Sequence, residues 1–271
     1  MNGMDIMNRI PQKRYEETDD LLAFISIYDD DLRFRAYRRL LNAHHAHIRN
    51  RICVEAGCGL GIFAEHMARL GARKVYAVEI NAHLCDLARE RLRGVGNIEV
   101  IHADISDFRP PEYVDVLVHE YYGQLLFDEE LFLLERLRFR PGLILPDGGA
   151  LRCGVTEVAG FDDPVVGPLL LQKLDGVLVS GLLDEGGIPL LRDVARFEAG
   201  VMPQEQFVCE IADLPGDLLY FGVEVQHQGH TICRAGRSSN WAFSWTYRSG
   251  NRFSVSFPMG ERSPEVDFQW I

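Results

Sequence analysis

The sequence predicts an α/β protein: a parallel sheet covered by helices on both faces, followed by an antiparallel, barrel-like β domain. Three observations carry that expectation. Strand and helix patterns alternate with short links between Arg51 and Val118, as they do in a sheet built from crossover units. A glycine-rich turn, Gly57-Cys58-Gly59-Leu60-Gly61, joins the first of these strands to the helix after it. Beyond Pro146-Asp147-Gly148-Gly149 the helical pattern gives way to successive strands separated by turn residues.

The elements follow in order. From Asp19 to Asn50 most residues suit a helix, with Leu22, Phe24, Ile25 and Tyr28, then Leu40, Leu41 and Ile48, at roughly helical spacing. Arg51–Glu55 is a short strand with an apolar centre, Ile62–Leu70 a helix, and Gly71 suits its C-terminal cap. Val75–Val78, His83–Arg93, Ile98–Ile101 and Val114–Val118 continue as strand, helix, strand and strand. In the second half Leu151–Val158, Gln206–Ile211, Tyr220–Gln226, Thr231–Arg234, Trp241–Tyr247, Arg252–Phe257 and Val266–Trp270 read as strands. Gln228-Gly229-His230, Ser249-Gly250-Asn251 and Pro258-Met259-Gly260 are the turn signals among them. Phe253 to Phe257 alternates as a half-buried antiparallel strand should. The expected divisions are a helical segment over 1–50, a nucleotide-binding domain over 51–148 and a β domain over 149–271; the stretch 160–191 is less regular.

Composition bounds the function. The 271 residues are 47% hydrophobic, enough for a packed core, and carry a net charge of −12. That charge opposes nucleic-acid binding, which needs clustered Lys and Arg to neutralise phosphates, and suits a cationic substrate. No apolar run reaches the ~18 residues that cross a bilayer, and Met1–Arg14 lacks the apolar stretch of a signal peptide. The six cysteines are scattered without a CxxC pair, so free thiols in a reducing cytoplasm are expected.

The glycine turn carries the cofactor reading. Glycines let the backbone turn tightly and approach a ligand closely. Gly61 lies two positions after Gly59, where a dinucleotide fingerprint needs three, and the acidic Glu55 stands just ahead. Glu79 ends the next strand, where a carboxylate can accept hydrogen bonds from both hydroxyls of a ribose. NAD enzymes place an acid likewise, so the glycine spacing is what favours S-adenosylmethionine. Ile80 follows directly. His102-Ala103-Asp104-Ile105-Ser106 succeeds the third strand, where such folds hold adenine: Ile105 is placed to pack on the ring, and Asp104 or Ser106 to face its amino group.

The fourth strand runs into His119-Glu120-Tyr121-Tyr122-Gly123-Gln124-Leu125-Leu126-Phe127-Asp128-Glu129. In an open α/β sheet the ligand lies beyond the carboxyl ends of the strands, which puts Glu120 at the catalytic position, and a loop can return Glu129 to it. Two converging carboxylates suit a planar, bidentate guanidinium. Its pKa lies far above neutral, which defeats simple deprotonation. A carboxylate pair can instead orient it and gather positive charge on one nitrogen, leaving the other free to attack a sulfonium methyl. No Cys/His cluster suggests a metal.

Here the sequence resembles the protein arginine methyltransferases, class I enzymes with a Rossmann-like domain and a β-barrel. Their double-E loop has glutamates nine apart with glycine three after the first, matched by Glu120, Gly123 and Glu129. Asp30 to Tyr37 is similar to the helix preceding their Rossmann domain, which implies that Arg33 binds the methionine carboxylate and that residues 1–50 cover the cofactor. Leu145-Pro146-Asp147-Gly148 is similar to their junction into the barrel. The resemblance covers roughly Asp30 to Val158.

It implies S-adenosylmethionine as cofactor and S-adenosylhomocysteine as product, with Arg33, Glu55, Gly57, Gly59, Glu79, Ile80, Asp104, Ile105 and Glu120 as cofactor contacts. Glu120 and Glu129 would be catalytic, and Tyr121, Asn240 and Trp241 would join them at an arginine-containing substrate, either the free amino acid or part of a peptide or protein. A homodimer through 160–191 is the family expectation, with neither nucleic acid nor membrane as partner. The sequence departs in places. Ser239-Asn240-Trp241, or in a rival alignment Phe243-Ser244-Trp245, stands where the family has Thr-His-Trp, and Asn240 cannot carry a proton or charge. Tyr15 or Phe24 is the candidate for the aromatic cover of the cofactor, and His119 and Tyr121 replace the usual Ser and Trp. The alternatives are another small-molecule acceptor or a silent methyltransferase-fold binding module.

Overall fold

The computed structural model describes residues 11–157, 167–181, 188–201, 204–238, 241–260 and 263–271. They form two units: residues 11–119 with 138–143, and residues 120–137 with the described residues from 144 to 271. In the first, helices α1 (Gln12–Asp29), α2 (Asp31–Ala43) and α3 (His45–Ile48) precede β1 (Ile52–Ala56), α4 (Ile62–Arg69), β2 (Lys74–Glu79), α5 (Ala82–Arg91), β3 (Ile98–His102) and β4 (Val116–His119). The sheet order is β3-β2-β1-β4-β5, with β5 at Leu143–Leu145, and β1 pairs in parallel with both β2 and β4. The strand order therefore reverses between β1 and β4, the switch point at whose carboxyl edge open α/β sheets bind ligands.

Local chemistry explains these elements. Every residue of β1 is buried, as in a strand covered on both faces. Asp30 caps α2 by accepting from the Arg33 N–H at 3.1 Å, and Asn81 caps α5 through the His83 and Leu84 N–H groups. Tyr37 and Phe34 stack on Phe63 with centroids 5.2 and 5.9 Å apart, fastening α2 to the first turn of α4. The first helix begins earlier than expected. Its opening turns, from Gln12 to Asp20, hold Tyr15 as their one apolar residue and give no periodic signal.

The second unit contains a 3-10 helix (Glu130–Arg136), then β6 (Gly148–Thr156), α6 (Pro168–Leu171), β7 (Val179–Ser180), β8 (Arg192–Glu198), β9 (Gln206–Glu210) and β10 (Leu218–His227). β11 (His230–Arg234), β12 (Ser244–Tyr247), β13 (Arg252–Ser256) and β14 (Asp267–Trp270) complete it. One antiparallel sheet runs β7-β12-β10-β6-β8, with β11 also paired to β10; a second runs β14-β13-β9. The hairpin β10–β11 turns on Gln228 and Gly229, both left-handed at φ 50° and 76°, the geometry a two-residue primed turn requires. Phe221 of β10 packs edge-on against Phe253 and Phe268 at 5.4 and 6.0 Å, joining the two sheets.

Four expectations need revision. The division does not fall cleanly at 148: residues 120–137 group with the β sheets, because Phe127 lies in an aromatic cluster with Phe197, Phe207 and Phe257. Strand β8 has no counterpart among the strands the sequence predicts. The strand expected over Trp241–Tyr247 starts only at Ser244, and Ser249-Gly250-Asn251 carries the chain from one sheet to the other instead of closing a hairpin. Of the segment 160–191, residues 160–166 and 182–187 lie outside the described residues; the remainder holds α6, a 3-10 turn and β7. Among the described residues no helix is long and apolar enough to cross a membrane.

Candidate functional site

The chain leaves β1 into the glycine turn. Gly57, Gly59 and Gly61 all have left-handed φ, at 65°, 51° and 70°, a conformation that costs other residues about 1–2 kcal/mol each. The turn is pinned by the Cys58 N–H donating to Val78 O at 2.9 Å and the Gly61 N–H donating to Cys58 O at 2.7 Å. Gly61, as N-cap of α4, has no side chain to offer, so Glu55 caps that helix from β1. Its two carboxylate oxygens accept from Phe63 N–H at 3.2 Å and Ala64 N–H at 2.7 Å. Glu55 is thus buried and engaged with the helix terminus, where its charge also meets the positive end of the dipole.

Glu79, at the end of β2, is 4% exposed. One oxygen accepts from the Gly59 N–H at 2.8 Å and the other from the Asn81 N–H at 2.8 Å. The sequence-predicted residues Gly57, Gly59 and Glu79 therefore come together at one turn. A carboxylate offers about four lone-pair sites, the number needed to accept two backbone N–H groups and the paired hydroxyls of a ribose. Burial first, then the Glu55 and Glu79 carboxylates and Cys85, push the Cys58 thiol well above its ordinary value, which keeps it neutral beside them.

The remaining predicted cofactor residues are placed as follows. Ile80 is 64% exposed, and its carbonyl accepts from His102 Nε2 at 2.9 Å. Asp104 closes a turn by accepting from both the N–H and the hydroxyl of Ser106, at 2.8 and 2.7 Å, while Ile105 is buried. Arg33 is buried on α2, next to the Phe34 that stacks on Phe63. The aromatic cover on the turn is Phe24, accompanied by Tyr28 one helical turn on. A β-carbon on Gly59 would stand 2.2 Å from Phe24 Cε1 and 2.9 Å from the Tyr28 hydroxyl. Tyr28 also donates to Cys58 O at 3.4 Å and accepts from the Leu60 N–H at 3.1 Å. The i,i+4 spacing of Phe24 and Tyr28 was the available signal for this second residue.

The second unit holds the double-glutamate loop. Glu120 is half-buried and Glu129 exposed, with Glu129 in extended conformation at the start of the 3-10 helix. Between them Tyr121 and Tyr122 are buried, and the Tyr122 hydroxyl donates to Gly148 O at 2.9 Å. The chain doubles back through a Gly123–Leu126 bridge, with Leu126 at φ 75°. The Asp128 carboxylate accepts the Leu125 N–H at 2.8 Å. Trp241 is 2% exposed and its indole N–H donates to Tyr122 O at 3.1 Å, so it braces this loop. Trp245 lies on β12 and donates to Gly181 O at 2.6 Å. The alignment ending in Trp241 therefore places its tryptophan on the loop. Asn240 and Ser239 lie outside the described residues. The cavity lined by Asp193, Ala195, Glu198, Val201 and Phe207 contains none of the expected site residues.

Known proteins match the chain in sequence and in fold. Residues 53–133 match the family model described as a methyltransferase domain. A probable protein arginine N-methyltransferase 6.1 of Oryza sativa subsp. indica is 32% identical over 130 residues, 45% of this chain and 34% of that protein. Protein arginine N-methyltransferase PRMT10 of Oryza sativa subsp. japonica is 41% identical over 108 residues, 38% of this chain and 28% of that protein. The matched stretch thus spans about a third of these relatives' length. The fold of the Trypanosoma brucei PRMT1 enzyme-prozyme heterotetrameric complex with AdoHcy is shared at TM-score 0.69 and 16% identity, over 91% of this chain and 93% of that one. The chain therefore has the mixed fold of these enzymes, a parallel five-stranded sheet with antiparallel sheets.

Proposed function

We propose that the chain is an S-adenosylmethionine-dependent N-methyltransferase acting on the guanidino nitrogen of arginine, free or within a peptide or protein. The carrying observation is that β4, paired with the very strand that enters the glycine turn, runs directly into a braced loop bearing Glu120 and Glu129. The named similarity to arginine methyltransferases supports the acceptor, and the AdoHcy in the trypanosomal complex supports the cofactor.

The residues present fit that cofactor. Positive-φ glycines would let backbone N–H groups approach it, Glu79 would accept from its ribose, and Arg33 would pair with its carboxylate. Glu55 acts at one remove by holding α4 against the turn. When bound, S-adenosylmethionine supplies an electrophilic methyl on sulfur and departs as S-adenosylhomocysteine. Glu120 and Glu129 accept guanidinium N–H bonds, which orients the acceptor and draws its positive charge towards the nitrogens they hold. The remaining nitrogen then has the lone-pair density to attack, the N–H proton it gives up passes to solvent once the N–C bond has formed, and the rate gain comes from alignment and charge stabilisation rather than from a strong base.

Labelled-methyl transfer with free arginine, short arginine peptides and a basic protein mixture, offered side by side, tests this. Label entering an arginine-containing acceptor is expected. Tight cofactor binding with none of the three labelled would overturn the arginine assignment in favour of another acceptor. A homodimer belongs to the same proposal, supported by Leu169 and Leu170 of α6 standing 81% and 51% exposed; light scattering at the mass of a single chain would contradict it.

A further inference from the structure

We infer that Asp128 is the positioning residue of the Glu120–Glu129 loop, and that Gly123 is needed there because the Asp128 carboxylate fills the space of a β-carbon. This rests on the proposed role of the two glutamates. A β-carbon built on Gly123 would lie 2.0 Å from Asp128 Oδ1, 2.6 Å from Cγ and 3.1 Å from Oδ2. Gly123 is not among the residues with left-handed φ. Alanine could adopt its backbone conformation, so the exclusion is steric and comes from one side chain. The glycine of the double-glutamate motif, on this reading, is a contact requirement and not a conformational one.

Asp128 stands directly before Glu129, and its Oδ1 accepts the Leu125 N–H at 2.8 Å. Burial raises its carboxyl pKa, while backbone N–H groups of Leu125, Asp128 and Gln124 pull it down and Glu130 pushes it up. The first half of the loop is fixed independently, through Tyr122 O to Trp241 and the Tyr122 hydroxyl to Gly148. Asp128 ties the second half to this anchored half. It thereby sets where Glu129 begins relative to Glu120, and it holds the turn in which Leu126 sits at φ 75°. An unbraced pair of glutamates would still carry their charges but would no longer present a fixed fork to a planar cation.

The test is a four-member cycle of wild type, Gly123→Ala, Asp128→Ala and the double variant, with Asp128→Asn as the conservative partner. A misplacement of about 1 Å at a reacting group can cost about 100-fold. Losses of that order in kcat/KM are expected for Gly123→Ala, and somewhat smaller ones for Asp128→Ala. In Asp128→Ala the KM for an arginine peptide should rise and kcat fall, with the Kd for S-adenosylhomocysteine unchanged. Asp128→Asn, which keeps an acceptor oxygen for Leu125, should recover most of the activity. Gly123→Ala should be nearly silent once Asp128 is alanine. Equal losses from Gly123→Ala in both backgrounds would overturn the inference, as would an Asp128→Ala variant with wild-type kinetics or one whose cofactor Kd worsens in step with KM. Should the wild type methylate no arginine substrate, the reading of the glutamates fails separately. Hydrogen exchange at the Leu125 amide then decides the positioning role: lost protection in Asp128→Ala supports it, and retained protection refutes it.

Discussion

Replacing Glu79 by Gln separates a cofactor contact from a brace. In the structure its two oxygens each accept a backbone N–H at 2.8 Å, from Gly59 and Asn81, in a site 4% exposed. The carboxamide keeps one acceptor and turns an NH2 towards the other donor. A lost charge-assisted bond at a buried site is worth about 1.5–3 kcal/mol. If the same carboxylate accepts the ribose hydroxyls, their bonds weaken too, and about 1.4 kcal/mol corresponds to each tenfold in affinity. S-adenosylhomocysteine should therefore bind about 10- to 100-fold more weakly to Glu79→Gln by titration calorimetry. Glu55→Gln is the control, because Glu55 also accepts two N–H groups, at 3.2 and 2.7 Å, but spends them on α4. It should lose comparable thermal stability with a smaller fall in affinity. A folded Glu79→Gln protein that binds the ligand as tightly as wild type would refute the ribose assignment.

Two further outcomes follow from the site. Trp241→Phe keeps most of the buried ring but leaves Tyr122 O without its 3.1 Å indole donor, a loss of about 1–3 kcal/mol. Steady-state kinetics should show a lower kcat/KM for the arginine acceptor with cofactor affinity unchanged, and equal damage to both would contradict the bracing role. Cys58, buried and flanked by carboxylates, has its thiol pKa raised well above 9.0, so the reactive thiolate is scarce at any pH below that value. Peptide mapping after brief alkylation of the native protein near neutral pH should find Cys233, the one partly exposed cysteine, labelled and Cys58 intact. Labelling of Cys58 as fast as Cys233 would place it outside the turn described.

Much of this is legible in the sequence. The all-buried strands around Val54 and Leu117 announce themselves as short apolar runs between breakers, and the glycine turn with Glu55 and Glu79 fixes its own place in a parallel sheet. Strand β8 did not, because Arg192, Asp193, Arg196 and Glu198 dominate its seven residues and a bulge opposite Leu151 and Arg152 breaks its alternation. β5 and β7, three and two residues long, are below what periodicity resolves. At the site, residue types revealed Glu120 and Glu129 but not what braces them. Asp128 reads in sequence as one more acid beside Glu129 and Glu130, and only the folded loop shows its carboxylate turned inward to Leu125 and Gly123. Trp241 likewise reads as a pocket wall, whereas its indole is directed at a backbone carbonyl 119 positions earlier in the chain.

The most direct measurement is the identity of the methylated atom. Wild-type protein and Glu120→Gln are incubated with labelled S-adenosylmethionine and an arginine peptide, the product is hydrolysed, and the labelled amino acid is separated by chromatography. Label is expected as a guanidino-methylated arginine with the wild type, and to be nearly absent with Glu120→Gln although that variant still binds S-adenosylhomocysteine. Label on any other atom, or undiminished methylarginine from Glu120→Gln, would contradict the guanidinium clamp.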